Sequence, residues 1–234
     1  MNYTIILSGG TGTRLGLDMP KQYFEVNNKP IVRYVIETLE QCELVDGFVI
    51  VAAEEWQEYV RKQISVFEKF VGFALPGENR QLSIYSGLCA LQNTLFEEKL
   101  ELDNVVVLIQ DAARPNTSTE LIAQCFNLDE MEDGAMPVLP MKDTVYLSED
   151  GLSVSALLER KQVFAGQAPE SFRFGKYMAA NEVLLPEKIL KINGSTEPAI
   201  LAGMQIKMFP GNENNYKITT ETDLRKFIDE KTSR

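Results

Sequence analysis

Short, almost wholly apolar runs alternate with longer amphipathic segments through the first half of this chain, and few folds accept that order. The runs at 3–7, 48–52, 71–75 and 105–109 have strand length and no regular polar face. Between them, Ile31, Tyr34, Val35, Thr38 and Leu39 recur at helical spacing, as do Trp56, Tyr59, Val60 and Ile64, and then Leu82, Tyr85, Leu88, Cys89 and Leu95. Strands buried on both faces and alternating with amphipathic helices predict an α/β fold: a doubly wound, mostly parallel, Rossmann-like sheet covered on both sides. Ligands of such sheets sit at the carboxyl ends of the strands.

From about Gly134 the rhythm changes. Residues 135–139 and 205–209 predict two further strands, 172–185 a helix, 197–202 a short helix, 217–219 a last extended piece, and a terminal helix starts near Thr222. Residues 144–158 form two extended runs about a Glu-Asp-Gly turn, which predicts a hairpin arm at about 143–160. The arm carries exposed-looking Val, Tyr and Leu, so a homodimer that clasps it is expected. With no internal repeat or linker, residues 1–234 read as a single domain.

Composition narrows the partners. A net charge of −11 argues against a surface that grips nucleic acid or anionic lipid. The N-terminal apolar run is too short for a signal peptide or membrane span, and Cys42, Cys89 and Cys125 offer no CxxC pair, so a reduced, cytoplasmic protein with no membrane partner is expected. Histidine is absent altogether. Chemistry must then rest on carboxylates, Lys, Arg, hydroxyls or an oxygen-held metal.

The first strand runs into Leu7-Ser8-Gly9-Gly10-Thr11-Gly12-Thr13-Arg14, followed by Lys21 in a Met-Pro-Lys-Gln string. Glycine lets backbone amides approach a ligand without a Cβ in the way, so this loop suits phosphate oxygens, and two cations beside it would neutralise a polyphosphate. The string is neither a P-loop nor a dinucleotide fingerprint, and a glycine-rich turn alone is also compatible with a purely structural role. Asp111 and Arg114 follow the most apolar strand, where a loop would present them to a ligand; a helix cap with its partner is the other reading.

Taken together, these strings resemble the nucleotidyltransferases, and most closely the methylerythritol phosphate cytidylyltransferases and their ribitol phosphate relatives. The matching pieces run through nearly the whole chain: Gly9 to Arg14 with Pro20-Lys21-Gln22, Gly77 with Arg80 to Leu88, Gln110 to Pro115, Lys142-Asp143-Thr144, Arg160, the segment around Pro169, and Tyr216 to Leu224. Hexose-1-phosphate thymidylyltransferases share only the opening loop.

The resemblance implies a nucleotide-diphospho-sugar transferase type of fold and transfer of CMP from CTP to a small polyol phosphate, with Mg²⁺ as cofactor. It assigns Arg14, Lys21 and Lys217 to catalysis, although Lys217 also reads as an outward strand lysine. It implies a nucleotide site at Leu7, Ser8, Gly9, Gly10, Gly12, Thr13, Gly77, Arg80, Ser83 and Ala112, with Ser83 also readable as a helix start. Asp111, Arg114, Thr144 and Arg160 fall where the family binds the polyol phosphate, and Asp111 also near the metal. Ala168 stands where the family usually has threonine before a proline, so methylerythritol phosphate and ribitol 5-phosphate are both admitted, and with them isoprenoid or teichoic acid and capsule pathways. A hexose-1-phosphate nucleotidyltransferase and an inactive nucleotide-binding protein of the same fold are the alternatives.

Overall fold

The computed structural model describes residues 1–10, 19–97, 99 and 101–232. Its elements, in order, are β1 (Asn2–Leu7), β2 (Glu25–Val26), β3 (Lys29–Pro30), α1 (Ile31–Gln41), β4 (Gly47–Val51), α2 (Glu54–Gln63), β5 (Phe70–Ala74) and α3 (Arg80–Glu97). They continue with β6 (Val106–Asp111), α4 (Thr119–Phe126), β7 (Gly134–Pro140), β8 (Tyr146–Leu147), β9 (Ala156–Leu157), β10 (Phe164–Gly166), β11 (Glu170–Arg173), α5 (Phe174–Glu182), α6 (Glu197–Leu201), β12 (Ile206–Pro210) and α7 (Glu221–Thr232).

The main sheet has the order β10-β7-β11-β6-β1-β4-β5, with β12 added alongside β7. Pairings of β1 with β4 and β6, of β4 with β5 and of β12 with β7 are parallel; β11 runs antiparallel between β6 and β7. The mostly parallel, two-sided sheet expected from the apolar runs is therefore present. Every residue of β4 is buried, as a strand covered on both faces requires. One core layer packs Val32, Ile36, Leu39 and Ile122 against Ile6, Phe48 and Ile50. The other packs Ile84, Leu88, Leu91 and Tyr177 against Ile5, Val49 and Val107. Tight helix approach needs Gly87, where a Cβ would sit 2.6 Å from Ile5.

The second half departs from expectation at one point. Residues 170–173 are strand β11, so the helix expected at 172–185 is confined to α5. Phe172, fully buried between β6 and β7, gains more from that slot than a helix turn could give. The extended piece at 217–219 joins no strand, although Ile218 N donates to Ala113 O at 2.8 Å. The arm is a hairpin, with Tyr146 opposite Leu157 and Gly151 taking the left-handed conformation its turn demands (φ 72°). Among the described residues no helix is long and apolar enough to cross a membrane.

Candidate active site

The strand order fixes where a ligand can go. β1 lies between β4 and β6, and Leu7 is paired with Asp111 at the carboxyl ends of β1 and β6. The chain leaves β1 toward β4 on one side and reaches β6 on the other, so the loops after these strands part there. A cleft of about 670 Å³ opens at that point.

Leu7, Gly9 and Gly10 form one wall of the cleft, and Lys21 reaches it from the following turn. That turn, Lys21–Tyr23, is clamped beneath the glycine loop. Gln22 Nε2 donates to Ser8 O (2.6 Å) and Gly10 O (2.8 Å), and Ser8 Oγ donates to the Tyr23 hydroxyl (3.0 Å). Ser8, expected to contact nucleotide, is buried under the loop and does not line the cleft. Tyr23 in turn stacks on Trp56 at 4.7 Å. Gly12, Thr13 and Arg14 lie outside the described residues.

Gly77, Arg80 and Ser83 line the opposite wall. A Cβ on Gly9 would meet Pro76 Cβ at 2.5 Å, so glycine lets the two loops close on each other, and one on Gly77 would meet Leu82 Cβ at 2.3 Å, so glycine there lets its loop fold back on the start of α3. The helix begins earlier than Ser83: Asn79 Oδ1 accepts from Leu82 N at 2.8 Å and caps α3. Ser83 Oγ instead accepts from Gly77 N at 3.0 Å and fixes that loop.

At the floor, Asp111 gathers three cations. Arg80 Nη2 lies 3.2 Å from its Oδ1, Lys217 Nζ 3.0 Å and Arg114 Nε 3.4 Å from its Oδ2. Burial works against the Asp111 charge, but Arg80, Lys217 and Arg114 overcome it and hold the carboxyl far below the ordinary carboxylate range. Desolvation likewise opposes the Arg80 charge, and Asp111 followed by Glu170 more than offsets it. Lys217 and Ala112 line the cleft; the outward-facing reading of Lys217 does not hold. The helix-cap reading of Asp111 fails as well, because the cap of α4 is Ser118, whose side chain accepts from Leu121 N.

Sequence reasoning missed the group that holds these cations in register. Asn215 is 1% exposed and donates to Ala168 O (2.7 Å), while its carbonyls accept from Arg114 Nη1 (2.6 Å) and Thr117 Oγ1 (3.0 Å). It ties the Lys217 segment to the loops after β6 and β10. Glu78, Asn79 and Thr219 also line the cleft and were not singled out. Arg114 is turned toward Asp111 and Asn215 of its own chain. Thr144 and Arg160 stand at the base of the arm, exposed and outside the cleft lining, with Arg160 Nη1 donating to Lys142 O at 2.9 Å.

For a metal, no cluster of three or more His, Cys, Asp or Glu occurs among the described residues. Asp111 is an ionised hard-oxygen donor at the cleft floor and Glu78 a second carboxylate on its wall. That donor set suits Mg²⁺ only if phosphate oxygens complete the shell, which is how Mg²⁺ is commonly held.

The family model described as "2-C-methyl-D-erythritol 4-phosphate cytidylyltransferase" (IspD) matches residues 3–228. The chain is 33% identical over 239 residues to a protein of that name from Geobacter metallireducens, with 98% of each covered. It is 29% identical over 230 residues to a ribitol-5-phosphate cytidylyltransferase of Streptococcus agalactiae serotype III, covering 97% of this chain and 94% of the relative. In fold it is similar to the crystal structure of the 4-diphosphocytidyl-2C-methyl-D-erythritol synthase from Anaerococcus prevotii, with a TM-score of 0.81, 22% identity, and coverage of 100% of this chain and 96% of the other. Matched over nearly its whole length, and with its glycine loop and Asp111 brought to one strand-end cleft, the chain belongs to the IspD cytidylyltransferase family.

Proposed function

We propose that this protein transfers CMP from CTP to the phosphate of a small alditol phosphate, giving a CDP-alditol and pyrophosphate. The observation that carries the reading is the cleft at the ends of β1 and β6, where an anion-friendly glycine loop faces Lys21, Lys217 and Arg80 inside a chain of net charge −11. An acceptor phosphate oxygen attacks the α-phosphorus, the bond from that phosphorus to the bridging oxygen breaks, and pyrophosphate departs with the electron pair. Both reactants are anions and charge shifts onto phosphoryl oxygens, so positioning and fixed cations supply the catalysis.

Lys21, with Arg14 of the glycine loop, is proposed to hold the triphosphate, and Lys217 to stabilise charge at the α-phosphate. Gly9, Gly10, Gly77, Arg80 and Ser83 are proposed to bind the nucleotide, with the base read by the backbone of the Gly77 loop. Asp111 keeps Arg80, Arg114 and Lys217 converged at the point of attack. Mg²⁺ is proposed as cofactor; Asp111 would hold it together with phosphate oxygens, and when bound it neutralises charge that would repel the acceptor.

The exposed apolar arm supports assembly as a homodimer. Leu152 (93% exposed), Val154, Leu157 and Tyr146 form an apolar edge that one copy leaves open. Thr144 and Arg160 lie outside the cleft of their own chain, as service to a second copy would require. The reading is tested by incubating the protein with CTP, Mg²⁺ and ribitol 5-phosphate or methylerythritol phosphate and identifying products by mass spectrometry. A CDP-alditol with equimolar pyrophosphate is expected. Turnover only with another nucleoside triphosphate and a hexose 1-phosphate would replace the reading.

A further inference from the structure

Glycines at 9, 10 and 12 leave the loop after β1 with little conformational preference of its own. Glycine takes positive and negative φ with nearly equal ease, so a peptide group between glycines turns readily. In a phosphate site that freedom works against binding. The peptide plane sets each carbonyl antiparallel to the N–H that follows it, and a turned group would aim oxygen instead of N–H at the phosphate. Contacts from outside the loop have to fix it.

Ser8 O accepts from Gln22 Nε2 (2.6 Å) and from the Tyr23 hydroxyl (3.1 Å), and Gly10 O accepts from the same Gln22 nitrogen (2.8 Å). With the Ser8 carbonyl held on these buried groups, the Gly9 N–H points the opposite way, and no acceptor among the described residues takes it. Gln22 is only 3% exposed, and both of its N–H groups are spent on the loop. A primary amide suits this place: it offers two donors from one uncharged nitrogen, where a hydroxyl has one and an ammonium would bury a charge. The turn that carries it is itself anchored, with Tyr23 N donating to Pro20 O at 2.9 Å and the Tyr23 ring stacked on Trp56. Lys21 precedes Gln22 in that turn and lines the cleft, so one latch sets the loop amides and the cation together.

We infer that Gln22 is a positioning residue for the triphosphate: its amide keeps two glycine-loop carbonyls off the phosphates and holds Lys21 in register with the loop. The inference rests on the cytidylyl-transfer reading and names the group that organises the nucleotide end of that site. The test is steady-state kinetics on the full chain with CTP and ribitol 5-phosphate, comparing wild type with Gln22→Met, which fills a similar space without donors. Gln22→Met is expected to raise the KM for CTP about ten- to a hundredfold, the range for losing a pair of buried hydrogen bonds. The acceptor KM, and the inhibition constant of cytidine, which carries no phosphate, are expected to stay within about twofold. Gln22→Asn keeps the amide but is one methylene too short to hold both carbonyls; it is expected to show the same split, and it decides the matter if Gln22→Met does not fold. An unchanged KM for CTP, or an equal rise in the cytidine inhibition constant, overturns the role of Gln22 while the reaction stands. A wild-type protein that releases no pyrophosphate from CTP with any alditol phosphate overturns the underlying reading instead.

Discussion

At the scale of single residues, the site holds two buried carboxyls whose surroundings shift them in opposite directions. Asp111 is buried with three cations, so its charged form is favoured. The stability it contributes is present above the unfolded aspartate pKa of about 3.9 and fades only as pH falls through its lowered folded value. Glu170 is buried with less compensation and shifts upward. The folded state there prefers the proton, so the chain loses stability as pH rises from the unfolded glutamate pKa, about 4.3, through the higher folded one. Glu170→Gln should therefore raise Tm at pH 8, by about 2 to 4 °C for each kcal/mol recovered in a chain of this size. The gain should disappear near pH 4, and thermal melts across that range check both signs. Asn215→Ala should lower stability by roughly 1 to 3 kcal/mol, because the buried Thr117 hydroxyl and Ala168 carbonyl lose their bonds to the amide side chain; a denaturant titration measures it. Lys21, Asp111 and Lys217 were legible in the sequence because each sits in a short string with its own chemistry. Asn215 and Glu170 were not, since their meaning comes from partners 98 and 25 residues away.

At the scale of elements, the parallel half was readable and the antiparallel half much less so. Continuous apolar runs announced β1, β4 and β6, because a strand covered on both faces has no polar side to confuse the period, and the edge strand β5 was legible from its apolar run as well. β11 hid in Glu-Ser-Phe-Arg, four residues whose burial depends on neighbours from distant segments. The cap of α3 was also misplaced: Asn79 satisfies the first turn, and Ser83 is spent on the Gly77 loop. Asn79→Ala should destabilise by about 1 kcal/mol, the usual cost of a lost N-cap, and urea unfolding with an unchanged m-value would show it. Both strands of the arm are exposed along their whole length. Replacing 144–158 by a short glycine-serine turn should convert dimers to monomers in light scattering at micromolar concentration; persistent dimers would place the clasp elsewhere.

At the scale of the whole molecule, the central tension is an acidic chain that must draw in a triphosphate and a second phosphate. Long-range attraction cannot do this at net charge −11, and screening by salt limits it further. The work falls to a local convergence of Lys21, Arg80 and Lys217 at the strand ends, with Asp111 preventing their mutual repulsion from opening the cleft. Because no dedicated metal cage exists among the described residues, chelation of Mg²⁺ should abolish turnover yet leave Tm within about 1 °C, in contrast to a structural metal. The most direct test of the account is the rate of pyrophosphate release from CTP and an alditol phosphate by wild type, Lys21→Ala and Lys217→Ala. Each variant should fold normally and lose about 10² to 10³ in kcat, as expected for one preorganised charge contact. Near-normal turnover in both would contradict a cleft that works by converging cations.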